Sequence, residues 1–393
     1  VTTIRSAVCV RCPPRWLLLR VETDDGEIGW GEAIGDLHEE VESALTAMGE
    51  RVVGSSIHEI TRTIETQRKT RFWRDGPVLD TALSALEMAL WDLKGKQLGA
   101  SVYDLLGGRV RERVRVYRNM WGRNPDEFAE SAREAVAQSM TAVKVSPAGP
   151  TPDVVSRAGL NDMVDVVRAV RDAVGPNVDL AVDLHGRLTP AASRRAVHAL
   201  APFDLFFIEE PCLPDGSPSH LADLRALRTA QPIAIATGER LRSAHAFAQH
   251  LLPSPVVDII QPDVSMVGGI RATIEIGAMA EAAQVSMAPH CPYGPVQFAA
   301  SMQVAAASPA HLIQEFQSLG GAGSGGGTPG GGQNWAFELI AQPFIIKGGH
   351  VDVPTGLGLG IEVLEERIEE HMDMWNPHPP SVWTHADGSH AEW

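Results

Sequence analysis

The chain has 393 residues, too many for one small core, and its 44 % apolar content is that of a folded globular protein. A formal net charge of −16 argues against any partner read through a basic face, nucleic acid and anionic membrane alike, but leaves room for a small anionic ligand where a bound cation reverses the field locally. No apolar run reaches the roughly 18 residues of a membrane span and no basic-then-apolar leader is seen, which predicts a soluble cytoplasmic protein with neither membrane nor nucleic-acid partners.

The opening third, residues 1–112, reads as an α+β capping domain. Arg15–Val21 and Glu27–Ala33 have strand character and are joined by Asp24-Asp25-Gly26, a hairpin signal. Cys9 and Cys12 form a Cys-x-x-Cys on a strand-like run, but no second pair completes a zinc set. Helical patterning follows at Val41–Met48 and Ile57–Arg68, then over Leu79–Lys96, where Leu83, Leu86, Leu90 and Leu93 share a face. Leu105-Leu106-Gly107-Gly108 reads as the glycine stop of that long helix.

From Arg113 the pattern becomes regular. Strands are predicted at Arg113–Met120, Thr141–Ser146, Asp179–Asp183, Leu205–Ile208, Pro232–Thr237, Val256–Ile260, Val285–Ala288 and Leu312–Glu315, each of the first seven followed by a helix, the first of them amphipathic. Eight strands alternating with helices over about 200 residues predict a (β/α)8-type barrel spanning residues 113–340. A doubly wound open sheet is the other α/β choice, but it would carry fewer strands and a glycine-rich first turn. Gly320–Gly332 reads as a flexible loop at the barrel mouth, since no βαβ unit surrounds its dinucleotide-like glycine spacing. Residues 341–393 are expected to pack back on the capping domain.

In such a barrel the chemistry sits at the C-terminal ends of the strands. Those ends carry Lys144 on strand two, Asp183 and His185 on strand three, Glu209 on strand four, Glu239 on strand five, Asp263 on strand six, His290 on strand seven and Glu315 on strand eight. Carboxylates Asp183, Glu209 and Glu239 from adjacent strands would repel unless a cation lay between them, and an all-oxygen set suits a hard ion such as Mg²⁺. The competing reading is three separate salt bridges to Arg187, Arg240 and Arg242. His185 and His290 would face each other across the cation, with Asp263 placed to orient His290. A hard cation, two imidazoles and no nucleophile suit removal of a proton α to a carboxylate, followed by loss of a β-hydroxyl or by return of a proton to the other face.

The runs Asp183-Leu184-His185-Gly186-Arg187, Ile208-Glu209-Glu210-Pro211 and Ala288-Pro289-His290-Cys291-Pro292-Tyr293-Gly294-Pro295, with Ala89–Lys96 and the ending Ala391-Glu392-Trp393, resemble the enolase superfamily. Within it they are similar to the mandelate racemase-like acid-sugar dehydratases, galactonate dehydratases among them. Sites of that superfamily set a Lys or His base to work with Mg²⁺. The resemblance implies Asp183, Glu209 and Glu239 as Mg²⁺ ligands, His290 with Asp263 as general base, His185 as general acid, Glu315 at the substrate carboxylate and Lys144 as a cationic neighbour. It also implies a homo-oligomer and a small acid-sugar substrate. Of five lysines only Lys144 ends a barrel strand, which argues against a two-lysine epimerase. Arg187, His38, Trp73, Arg74 and Trp121 are further candidates to line the substrate pocket. Two other readings stay open: a racemase or epimerase using the same two histidines, and a non-catalytic barrel that binds sugar acids.

Overall fold

The computed structural model describes residues 2–152, 154–214, 218–316, 338–377, 382–385 and 387–392. The glycine-rich stretch 320–332 lies outside the described residues.

The first sheet is an antiparallel meander of β1 (Ile4–Cys12), β2 (Trp16–Thr23) and β3 (Ile28–Ala33), with Thr23 and Glu27 closing the hairpin. Helices α1 (His38–Val52), α2 (Ile60–Lys69) and α3 (Pro77–Leu98) follow, then the single turn α4 (Val102–Leu105). α3 packs directly on β3, and this explains the sequence Gly29-Trp30-Gly31. A side chain at Gly31 would fall on the Ala85 carbonyl, and one at Gly29 on Ala89 and Leu93. The long helix stops at Gly99, not at Gly107-Gly108. Gly99 is left-handed (φ 66°), and its amide reaches back to the Gly95 and Lys96 carbonyls, which satisfies the helix end.

The second sheet runs β4 (Arg113–Met120), α5 (Pro125–Ala137), β5 (Ala142–Val145), α6 (Arg157–Val174), β6 (Asp179–Asp183), α7 (Pro190–Leu200), β7 (Phe207–Glu209), α8 (Pro218–Ala230), β8 (Ala234–Thr237), α9 (Ala244–Leu251), β9 (Ile259–Ile260), α10 (Ile270–Ala282), β10 (Ser286–Met287), α11 (Pro295–Ala307) and β11 (Gln314–Phe316). Strands β4 to β10 pair in parallel in chain order, and β11 pairs in parallel with β4. The ring closes at the Met287–His311 bridge, where Met287 donates to Ala310 and Leu312 donates to Met287. Closure excludes the open-sheet alternative. The fold is a (β/α)8 barrel with an α+β cap.

The barrel interior is filled by one side chain from each strand. Tyr117, Phe207, Ile259 and Ile313 are large; Ala142, Ala181, Ala236 and Ala288 are small, so the layer interlocks. This layer fixes the site above it. Strand residues two apart share a face, so the positions above the layer are Asn119, Lys144, Asp183, Glu209, Gln261, His290 and Glu315.

Two carboxylates of the cap dock on barrel helices. Glu87 of α3 accepts from Ile270 N (2.7 Å) and Arg271 N (3.0 Å) at the start of α10, and Glu32 of β3 accepts from Gly294 N and Gln297 N at the start of α11. Each fills the unpaired amides of a helix N-terminus with carboxyl oxygens, and burial pushes both groups up, Glu32 to about 8 and Glu87 to about 7. The closing segment touches both halves. Its hairpin, β12 (Ile346–Lys347) and β13 (His350–Asp352), adds antiparallel to β4, and past α12 (Glu365–Glu370) Trp375 packs edge-on against His38. Among the described residues no helix is long and apolar enough to cross a membrane.

The closure point holds a titratable group. His311 is 8 % exposed, and burial beside the Arg111 guanidinium pushes its imidazole from 6.5 down to about 3. The unfolded chain takes up this proton near the ordinary value while the folded chain refuses it. Stability from His311 is therefore complete above the ordinary value and is lost as pH falls toward the folded one, by up to about 1.4 kcal/mol per pH unit. His311→Phe is expected to flatten the acid limb of a pH–stability curve; an unchanged slope in urea titrations would contradict this.

Candidate active site

The barrel rim gathers the charged strand ends. Oxygens of Asp183, Glu209 and Glu239 all lie within 4.8 Å of one another. Asp183 and Glu209 stand two residues above Ala181 and Phe207 on their strands. Glu239 is three residues above Ala236, and Gly238 makes this possible. Its φ of 140° and close packing on Gln261 N and Phe247 suit only glycine, and it breaks the strand's alternation just before Glu239.

Lys144 sits beneath the carboxylates, 3 % exposed. Its ammonium donates to Glu209 Oε1 (2.8 Å) and Oε2 (2.9 Å) and lies 3.3 Å from Asp183 Oδ2 and 3.2 Å from Glu315 Oε1, above the Tyr117 ring. Burial alone would lower this amine, but Glu209 and Glu315 more than reverse the effect, so it stays charged. Glu315 is further held by Asn119 Nδ2 (2.8 Å) and Cys291 N (2.7 Å).

The imidazoles flank the cluster. His185 has φ 51° and Gly186 φ 66°, a left-handed pair that folds the chain back so that His185 N donates to Asp183 Oδ1 (2.8 Å) and its Nε2 lies 3.2 Å from Oδ2. A non-glycine residue in this region is strained and held by its surroundings. Burial pushes the His185 imidazole down to about 4, against the pull of Asp183. His290 Nδ1 is 2.8 Å from Asp263 Oδ2, and its Nε2 is 3.4 Å from Glu239 Oε2. Burial would depress this imidazole too, but Glu239 and the Asp263 hydrogen bond outweigh it and push it up to about 10. The protein groups alone thus hold the two histidines in opposite charge states.

The separate-salt-bridge reading does not hold. Arg242 faces Asp80 (3.5 Å), Arg240 faces Glu392 (3.7 Å), and Arg187 donates to the Ala148 carbonyl and stacks on Trp383. Asp183, Glu209, Glu210, Glu239, Asp263 and Glu315 crowd one rim, and the basic groups in close contact with them are Lys144, His290 and the neutral imidazole of His185. Surplus negative charge on buried oxygens fits a hard divalent cation.

Of the candidates for the pocket, Arg187 is at the rim. His38 is buried at the start of α1, bonded to the Arg15 carbonyl and packed on Trp375. Trp73 is 83 % exposed beside Phe72, Arg74 lines a small cleft with Arg68 and Arg71, and the Trp121 amide bonds Ser131. His38, Trp73 and Arg74 stand outside the buried cluster. Asn119 and Gln297 do belong to it, although neither is ionisable and the sequence does not single them out. Asn119 obeys the same two-residue spacing as Lys144; Gln297 reaches Asp263 from a helix, which no strand pattern reveals.

Comparison with known proteins is decisive for the family. Residues 3–107 match the mandelate racemase/muconate lactonizing enzyme N-terminal domain, and residues 127–367 match the enolase C-terminal domain-like family. The chain belongs to the enolase superfamily. Within this superfamily, the D-galactonate dehydratase of Variovorax paradoxus (strain S110) is 37 % identical over 388 residues, 98 % of both chains. The D-gluconate dehydratase of Thermoproteus tenax is 37 % identical over 91 % of this chain and 70 % of its own length. Among solved superfamily structures, an enolase from Agrobacterium radiobacter bound to Na and L-malate superposes with TM-score 0.86 at 28 % identity, covering 99 % of this chain and 98 % of that one.

Proposed function

We propose that the protein dehydrates an aldonic acid to a 2-keto-3-deoxy acid with Mg²⁺ as its cofactor. The observation that carries this is the pair of imidazoles set on either side of the Asp183–Glu209–Glu239 cluster. The dehydratase names of the relatives support the reaction class, and L-malate in the Agrobacterium radiobacter structure is itself a 2-hydroxy acid. A divalent cation held by Asp183, Glu209 and Glu239 would supply positive charge opposite the substrate carboxylate and release His290 from the Glu239 charge that favours its proton.

The chain's own groups do the rest. Asp263 keeps the proton on His290 Nδ1 and leaves Nε2 to take the α-proton. The electrons of that C–H bond first pass into the substrate carboxylate as an enediolate; they then form the Cα–Cβ double bond as the β C–O bond breaks and His185 gives its proton to the departing hydroxyl, which leaves as water. The enol then rearranges to the 2-keto acid. Lys144 and Glu315 flank the carboxylate end, the first offsetting negative charge there. A second assignment, with His185 as base and His290 as acid, is favoured by the charge states of the protein groups alone.

Turnover of diastereomeric aldonic and aldaric acids, scored by keto-acid formation, tests the proposal. Product is expected from an aldonic acid, lost on chelation and restored by Mg²⁺. Exchange of the α-proton without water loss would replace the reading by a racemase or epimerase, and binding without any turnover would leave only a sugar-acid-binding barrel.

A further inference from the structure

We propose that Gln297 is a positioning residue for the His290–Asp263 pair, set in place by Glu32 of the capping domain; this rests on His290 being the group that handles the α-proton. Gln297 is fully buried in the first turn of α11. Its side-chain Oε1 accepts from Tyr293 N (3.0 Å), and its Nε2 donates to Asp263 Oδ1 (2.8 Å). The amide can face only one way, because a backbone N–H only donates and a carboxylate only accepts. Asp263 Oδ1 also receives Ser265 N (2.7 Å). With Oδ1 doubly occupied, Oδ2 alone is turned to His290 Nδ1. The ring is thereby oriented, and its Nε2 faces the carboxylate cluster.

The same residue ties this geometry to the cap. Its backbone N–H donates to Glu32 Oε2 (2.8 Å), while Glu32 Oε1 receives Gly294 N. A continuous run of hydrogen bonds thus leads from β3 of the cap through the first turn of α11 to Asp263 and His290. These bonds of Gln297 go to Tyr293, Asp263 and Glu32, outside the Asp183–Glu209–Glu239 cluster, so its effect on proton transfer is separable from cation binding.

Two variants test this. Gln297→Met keeps the bulk and removes both side-chain bonds. Gln297→Glu keeps the acceptor for Tyr293 N and replaces only the donor to Asp263. Both are expected to lower kcat by up to about 10²-fold, the scale of a small misplacement of a reacting group. KM and Mg²⁺ affinity by calorimetry should hold. The downfield proton signal of His290 Nδ1–H, assigned by its loss in His290→Asn, should shift in both variants with no substrate or metal added. Wild-type kcat with an unmoved signal would overturn the proposal, and so would failure of both variants to fold, which would make Gln297 purely structural. Retained α-proton exchange in His290→Asn would instead overturn the base assignment itself, and the two failures are distinct.

Discussion

Replacing His290 by Asn is expected to lower turnover by about 10³-fold or more while leaving the divalent cation bound, since general-base catalysis alone is worth about 10²–10⁴-fold. His290 touches the proposed ligand set only through Glu239, at 3.4 Å, and there as a competing positive charge. Its removal should leave Mg²⁺ affinity unchanged or tighter. The assay that separates the imidazoles is α-proton exchange in D2O, measured apart from water loss. With His290 as base, His290→Asn loses both exchange and dehydration, whereas His185→Asn loses dehydration and keeps exchange. The reverse pattern would assign the base to His185, whose imidazole is held neutral by burial. Loss of cation binding in His290→Asn would move the residue from proton transfer to ligation.

The residues on which this experiment rests are legible because a barrel strand repeats a simple rule. One inward side chain fills the interior, and the next inward position, two residues on, reaches the rim. Ala142 leads to Lys144, Ala181 to Asp183, Phe207 to Glu209, Ala288 to His290 and Ile313 to Glu315. Asn119 obeys the rule through Tyr117 but carries no charge, and a search for ionisable groups passes it by. Glu239 departs from the rule because Gly238 breaks the alternation, yet it still stands at a strand end.

What stays hidden in the sequence depends on contacts far apart in the chain. Glu87 meets Ile270 across 183 positions and Glu32 meets Gln297 across 265, and neither has a local pattern to betray it. In loops only the residue type speaks for a pocket role. Residue type alone singles out His38 and Trp73, and the fold puts them in unlike places, one buried at the start of α1 against Trp375 and the other open to solvent. The apolar pattern places the long cap helix to within two residues at each end, but its stop is misassigned, because two glycines at 107–108 make a louder signal than the single Gly99, whose left-handed backbone ends it.

Lys144→Met is expected to destabilise the protein by about 3–5 kcal/mol in the presence of a chelator, the usual consequence of removing one partner from a buried ionic cluster. Among the described residues Lys144 is the one ammonium in direct contact with Asp183, Glu209 and Glu315, and all four groups are at most 3 % exposed. Without it, three carboxylates face one another with no lysine charge between them, and uptake of protons is the relief left to them. A divalent cation offers the same relief, so titration with Mg²⁺ should recover much of the lost stability, by binding the folded chain alone. Turnover should stay low even when stability returns, because a cation among Asp183, Glu209 and Glu239 does not replace the charge beside Glu315. Adding Glu209→Gln to Lys144→Met should recover stability under chelation without Mg²⁺, since it removes one of the charges left facing its neighbours. Equal unfolding midpoints for wild type and Lys144→Met under chelation would show that the cluster is already protonated in the folded chain, and would withdraw the argument that surplus negative charge is what draws the cation in.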